Sequence, residues 1–174
     1  VFFVNKIPFL ITLSHKICFT TVTHLSNRKI ETIFKAFHSI FKYYLQRGFQ
    51  IMTVRADGEF SPMDQFLLDI HGAPCLNLTA ANEHEPFVER KTRVIKECTR
   101  AVRHSLPFMA LPMQVTTHMV FFVMKLLNYF LVKGSVSDQY SPKAIMSGEV
   151  NSNNTVYPSE RTVKCMRRID HKIA

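Results

Sequence analysis

Glycine is scarce in this chain, with five in 174 residues, and the scarcity removes the loops that cradle phosphates. Neither G-x-x-x-x-G-K nor G-x-G-x-x-G occurs, so nucleotide hydrolysis on a phosphate loop and dinucleotide binding have no basis. Cysteine is equally thin. Cys18, Cys75, Cys98 and Cys165 stand far apart, with no C-x-x-C pair and no histidine at ligand spacing. They indicate neither a zinc site nor a disulfide-stapled scaffold, and read as free thiols in a reducing compartment. No Ser-His-Asp or Cys-His order appears, which leaves acyl transfer unsupported. A clean apolar stretch of about 20 residues, the length a membrane helix needs, is also lacking. The run from Met119 to Val132 is broken by Lys125 and Asn128 and reads as a buried helix. There is no internal repeat.

Acid is in short supply too. Thirteen Asp and Glu face 22 Lys and Arg, giving a net charge of +9 and a pI near 9.6. That balance suits a polyanionic partner, either nucleic acid or an anionic membrane face. What the chain has in quantity is apolar matter: 47% hydrophobic residues, 15 of them Phe. This is enough for one packed α/β interior and too much for a disordered chain. Residues 1–149 read as one domain. Residues 150–174, opening on Asn151-Ser152-Asn153-Asn154 and carrying scattered charge without periodicity, read as a loose basic tail.

Within the domain, Val1 to Asn5, Ile7 to Leu13 and Cys18 to His24 are three short β-rich runs, expected to form an antiparallel meander. Asn27 is placed to cap a helix with Ile30, Ile33, Phe34, Phe37, Ile40, Phe41, Tyr44 and Leu45 on one face, stopped by Gly48. A fourth strand, Phe49 to Val54, ends at Ala56-Asp57-Gly58. A short helix from Pro62 to Ile70, a turn at Gly72-Ala73-Pro74 and a strand at Cys75 to Leu78 lead to a helix from about Pro86 to His104. Pro107 and Pro112 precede an apolar helix expected to run from Met113 to Val132.

Two acids stand out against this order. Asp57 closes an apolar strand, the end at which ligands of α/β sheets gather, and Glu89 lies just inside a basic amphipathic helix. Carboxylates from separate elements are what a hard divalent cation needs. On the Glu89 helix, positions 89, 93, 96, 100 and 103 share one stripe and read Glu, Arg, Lys, Arg, Arg. The other side carries Phe87, Val94, Ile95, Cys98 and Val102, expected to face the core. Spacing alone leaves a solvated basic face and a phosphate-binding face equally open.

The strand end Asp57-Gly58-Glu59-Phe60 and the helix start Val88-Glu89-Arg90-Lys91 resemble the second and third acids of the retroviral and retrotransposon integrase core, most closely the copia-type integrases. The likeness covers roughly Val1 to Glu149 and includes Ser141-Pro142-Lys143-Ala144-Ile145 after the last long helix. It implies a ribonuclease H-like α/β fold: a mixed five-stranded sheet, three antiparallel strands followed by parallel ones, flanked by helices. It further implies polynucleotidyl transfer, with Asp57 and Glu89 as catalytic Mg²⁺ or Mn²⁺ ligands. Arg93, Lys96, Arg100 and Arg103 would contact DNA phosphates, element ends and target DNA would be the partners, and a nuclear homo-oligomer without membrane attachment would be the setting. The family's first acid lies on the first strand, which here reads Val1-Phe2-Phe3-Val4-Asn5, and no acid precedes Glu31. The expectation is that this Asp preceded Val1 in a longer parent chain. The alternative is an inactive DNA-binding or assembly module derived from such an enzyme. Asn5 could offer a neutral oxygen. Glu59 is assigned a supporting or surface role, Glu83 and Glu85 are weaker candidates than Glu89, and His84 and His104 read as surface histidines. Where copia-type relatives carry Asn-Gly before this helix, the chain has Glu85-Pro86.

Overall fold

A computed structural model describes residues 1–67, 72, 74–78, 86–148 and 168–173, the last of these as backbone. Strand β2 (Ile7–Ser14) buries seven of its eight residues, because both faces of the sheet are covered and alternation no longer separates inside from outside. Strand β1 (Phe2–Val4) returns antiparallel onto Ile7–Phe9 through Asn5 and Lys6, both left-handed at φ 48° and 65°. This is a two-residue hairpin turn whose twist matches that of the strands. On its other edge β2 pairs with β3 (Thr20–His24), from Phe9↔His24 to Leu13↔Thr20, so the expected meander forms.

Helix α1 (Ile30–Gln46) buries Ile33, Ala36, Phe37, Ile40, Phe41 and Tyr44, the stripe that its apolar spacing announces. Its predicted edge residues fare differently. Ile30 and Phe34 are partly buried, and Leu45 is exposed. Asn27 is not the cap. Lys29 holds that position, and the Asn27 Oδ1 accepts from the Lys29 N–H (3.0 Å) and the Thr32 hydroxyl (2.8 Å), fastening the approach to the helix. Gly48, at φ 75°, turns the chain into β4 (Gln50–Ala56).

A 3-10 turn (Gly58–Phe60) and helix α2 (Met63–Leu67) follow. The expected extension of α2 to Ile70 falls outside the described residues. Strand β5 (Cys75–Leu78) runs parallel to β4. Helices α3 (Pro86–His104), α4 (Met113–Leu127) and α5 (Pro142–Ser147) complete the helical set. The Ser141 Oγ caps α5 by accepting from the Ala144 N–H (3.2 Å). Helix α4 stops short of the predicted Val132. Its next residue, Asn128, is buried, and its carboxamide accepts from the Thr20 N–H (2.9 Å) and donates to the Thr20 carbonyl (2.8 Å). The polar residue that interrupts the apolar run is thus a hydrogen-bonding plug for β3.

The sheet has six strands, not the expected five. Strand β6 (Arg168–Ile173), from the segment read as loose tail, lies between β2 and β4. It pairs antiparallel with Thr12–Ser14 and parallel with Gln50–Arg55. Because β1 pairs with Ile7–Phe9 on the same edge of β2, β6 and β1 follow one another along one line. Two apolar cores flank the sheet. One joins Leu10, Ile51 and Val54 to α1, α2 and Met146 of α5; the other joins Phe9, Ile11, Leu13 and Val22 to Val88 and Ile95 of α3 and Val120 and Val123 of α4.

Candidate active site

Ala56, fully buried, ends β4 and delivers Asp57 to the surface at the carboxyl end of the strand. Asp57 caps the 3-10 turn, its Oδ1 accepting from the Gly58 N–H (3.1 Å). The strand therefore does not continue past Gly58. Glu59 instead swings to the Arg28 guanidinium (2.9 Å) and the Val1 nitrogen (3.2 Å). Glu89 occupies the first turn of α3 and is exposed, where a carboxylate also complements the helix dipole.

Asp57 and Glu89 line one cleft of about 800 Å³, together with Glu59, Arg93, Lys96, Glu97 and Arg100, and with Val1, Phe2, Phe3 and Ile11 on its floor. The two acids are brought to one cleft by β4 and α3 across 31 residues of intervening chain. Among the described residues, no group of three or more His, Cys, Asp or Glu side chains is disposed to hold a metal ion. Asp57 and Glu89 carry oxygen donors of the kind a hard divalent cation takes, while of the other two carboxylates lining the cleft Glu59 is paired with Arg28 (2.9 Å). Glu97 is held by Arg93 (2.9 Å) one turn earlier. Asp170 on β6 pairs in register with Thr53, four positions before Asp57, or about 13 Å down the strand. Asn5 sits in the β1–β2 turn and lines a neighbouring cleft, not this one. Glu83, His84 and Glu85 lie outside the described residues.

The neighbouring cleft, of about 360 Å³, shares Phe3, Lys96 and Arg100 with the first and adds Asn5, Arg103 and His104. The stripe read from the sequence is thus a continuous track along α3, from the acids to the helix end, spanning about 21 Å from Glu89 to Arg103. Its members are not equivalent. Arg93 is committed to Glu97, Lys96 lies over the Phe2 ring at 6.0 Å, and Arg103 donates to the Met109 carbonyl (3.4 Å). The inner side of α3 differs in part from expectation. Val88, Ile95 and Thr99 are its buried residues, while Phe87 is exposed and Val94, Cys98 and Val102 are half-buried. Sequence reasoning missed Thr99, whose hydroxyl is satisfied within the helix by the Ile95 carbonyl (2.7 Å).

Lys91, two residues past Glu89, is half-buried, and burial pulls its ammonium below the ordinary 10.5, against the pull of the Cys18 and Cys98 thiols. Burial pushes the Cys18 thiol above 9.0, opposed by Lys91. These three residues form a half-buried seam between α3 and the β2–β3 turn. No local pattern announces it, since Cys18 and Cys98 are remote along the chain.

A mixed sheet with antiparallel strands on one side, a crossover helix to a parallel strand that ends in an acid, and helices on both faces is consistent with a ribonuclease H-like fold. Among solved structures, the chain is similar to the catalytic core domain of BIV integrase, with a TM-score of 0.54 and 12% identity over 83% of this chain and 88% of that one. The fold is therefore that of a retroviral integrase catalytic core. No protein-family profile and no curated protein matches the chain.

Proposed function

We propose that this chain is an integrase-type polynucleotidyl transferase core of a copia-type retroelement, working on element DNA ends and target DNA in the nucleus as a homo-oligomer. The observation that carries the reading is the single cleft that unites Asp57 and Glu89 with the basic track of α3. Asp57 and Glu89 would hold Mg²⁺ or Mn²⁺, which when bound supplies Lewis-acid activation of a phosphodiester. The chain's own residues do the rest. Lys96 and Arg100 attract the backbone, Arg103 extends the contact along the helix, and the apolar floor of Phe2, Phe3 and Ile11 excludes water beneath the acids.

A second reading, an inactive DNA-binding or assembly module, is favoured by one observation: among the described residues, no group of three or more His, Cys, Asp or Glu is disposed to hold a metal ion. Two carboxylates hold two ions poorly, so residues 1–174 are expected to bind Mn²⁺ weakly and join no DNA. A single Asp added before Val1 separates the readings. The β1–β2 register, Phe2↔Phe9, places that position opposite Ile11, on the floor of the cleft. The enzyme reading expects tighter Mn²⁺ binding and metal-dependent strand transfer, both abolished by Asp57→Asn or Glu89→Gln. DNA binding without activity in the extended chain supports the module, and robust joining by residues 1–174 alone would overturn the two-carboxylate account.

A further inference from the structure

The cleft beside the candidate active site holds no carboxylate, yet it shares a wall with it. Phe3, Lys96 and Arg100 line both. Val4 and Asn5, at the turn end of β1, bound the second cleft on one side and Thr116 and Met119 of α4 on another. Its volume of about 360 Å³ lies at the lower end of the range for small-ligand pockets, room for one nucleotide. The wall combines an open aromatic ring with cations. Phe3 is 42% exposed although Phe2 beside it is buried. The Arg28 guanidinium, held by Glu59 (2.9 Å), stands 5.7 Å from the centroid of the Phe3 ring and steadies it. Arg100 enters no ion pair among the described residues.

We propose that this second cleft is a subsite for a single unpaired nucleotide of DNA, its base stacked on Phe3 and its phosphate held between Lys96 and Arg100. The subsite rests on the nucleic-acid reading of the α3 track and adds a preference that phosphate contacts alone do not give. In a duplex each base is stacked on both faces and paired along its edge, so an exposed ring gains nothing from it. An unpaired base has a free face, and an aromatic ring beside a cationic groove is the arrangement that holds such bases whatever their sequence. Asn5, which both donates and accepts, and His104 line the same cleft and can meet the vacant pairing edge. Lys96 follows Glu89 by seven positions on α3, about 10 Å along the axis. A nucleotide seated there therefore lies about three phosphate steps of a stacked strand from the acids.

The test uses the full chain in EDTA, so that no strand is joined, and two DNA duplexes carrying one internal 5-iodouracil. That base faces adenine in the first and an abasic site in the second, which keeps the number of phosphates equal. Affinity for the second duplex is expected to exceed that for the first by at least about fivefold. On irradiation of the unaltered chain the iodouracil is expected to join to Phe3, the crosslink being located by mass spectrometry. Phe3→Leu should bring the ratio of the two affinities close to unity, and Phe3→Tyr, which keeps a ring, should preserve it. Equal affinity of the unaltered chain for both duplexes, a ratio undiminished in Phe3→Leu, or crosslinks confined to residues outside the cleft would overturn the subsite and leave the phosphate track of α3 in place. Failure to bind either duplex would overturn the track as well.

Discussion

The Asn128 carboxamide satisfies both peptide groups of Thr20 inside the core, and the Asn128 carbonyl accepts from the Lys143 N–H (2.9 Å). Asn128→Leu strands the Thr20 N–H and carbonyl at a dry site and should cost about 2–4 kcal/mol, read as a lower urea midpoint at unchanged slope. At the β1–β2 turn the reverse change is available. Lys6 holds φ 65°, a conformation that costs a side chain about 1–2 kcal/mol. Lys6→Gly should therefore raise stability by about 0.5–1 kcal/mol after the flexibility of glycine is set against it. Lys91 offers a pH test. The unfolded chain binds its proton more tightly than the folded one, so between the lowered folded value and 10.5 stability gains with rising pH. Cys18 acts oppositely, since its unfolded thiol ionises first and stability falls above 9.0. Removing the rising component by Lys91→Met should make the melting temperature fall more steeply as pH rises above 9.0 toward 10.5, and parallel curves would refute the seam.

At the scale of elements, α3 couples fold to site. Its inner residues Val88, Ile95 and Thr99 fix its rotation about its axis, and that rotation brings Glu89, Lys96 and Arg100 to the cleft. The stripe was legible because helical spacing is strict. The pairing of Arg93 with Glu97 was legible only as i,i+4 chemistry, and it reorders the expected contributions to DNA binding. Lys96→Ala and Arg100→Ala should each flatten the salt dependence of duplex affinity by about one unit of slope. Arg93→Ala should change it less, because Glu97 already offsets that charge, and Glu97→Gln should tighten binding. The α4 region teaches a different lesson. Phe122, Phe130 and Leu131 leave apolar surface exposed here, whereas Phe121 is half-buried and packs edge-on against Phe9 at 6.3 Å. Phe122→Asp and Leu131→Asp should lower any self-association seen by sedimentation at high concentration; a monomer unaffected by either change would count against this surface.

For the whole molecule, local signals were enough to order the first five strands and to place both acids, since each rests on a short run with a strong period or a marked end. What they could not supply was partnership across the chain. Strand β6 carries two isoleucines among charges, a pattern with no strand signal of its own, and it is a strand only because β2 and β4 leave a place for it. The third acid is a question of the same kind, settled by which backbone reaches the cleft and not by any nearby motif. None of the described helices is long and apolar enough to cross a membrane. The net charge of +9 and the basic track on α3 suit a polyanion met at the surface. The central claim is that this track leads DNA to Asp57 and Glu89. Its most direct test is the affinity of the intact chain for duplex DNA across a salt series, compared with that of the Lys96→Ala/Arg100→Ala double variant and an Arg167→Ala/Arg168→Ala control. The account predicts a slope flattened by about two units in the double variant and little altered in the control. A slope unchanged in the first and flattened in the second would place DNA binding at Arg167 and Arg168 and not on α3, and would contradict it.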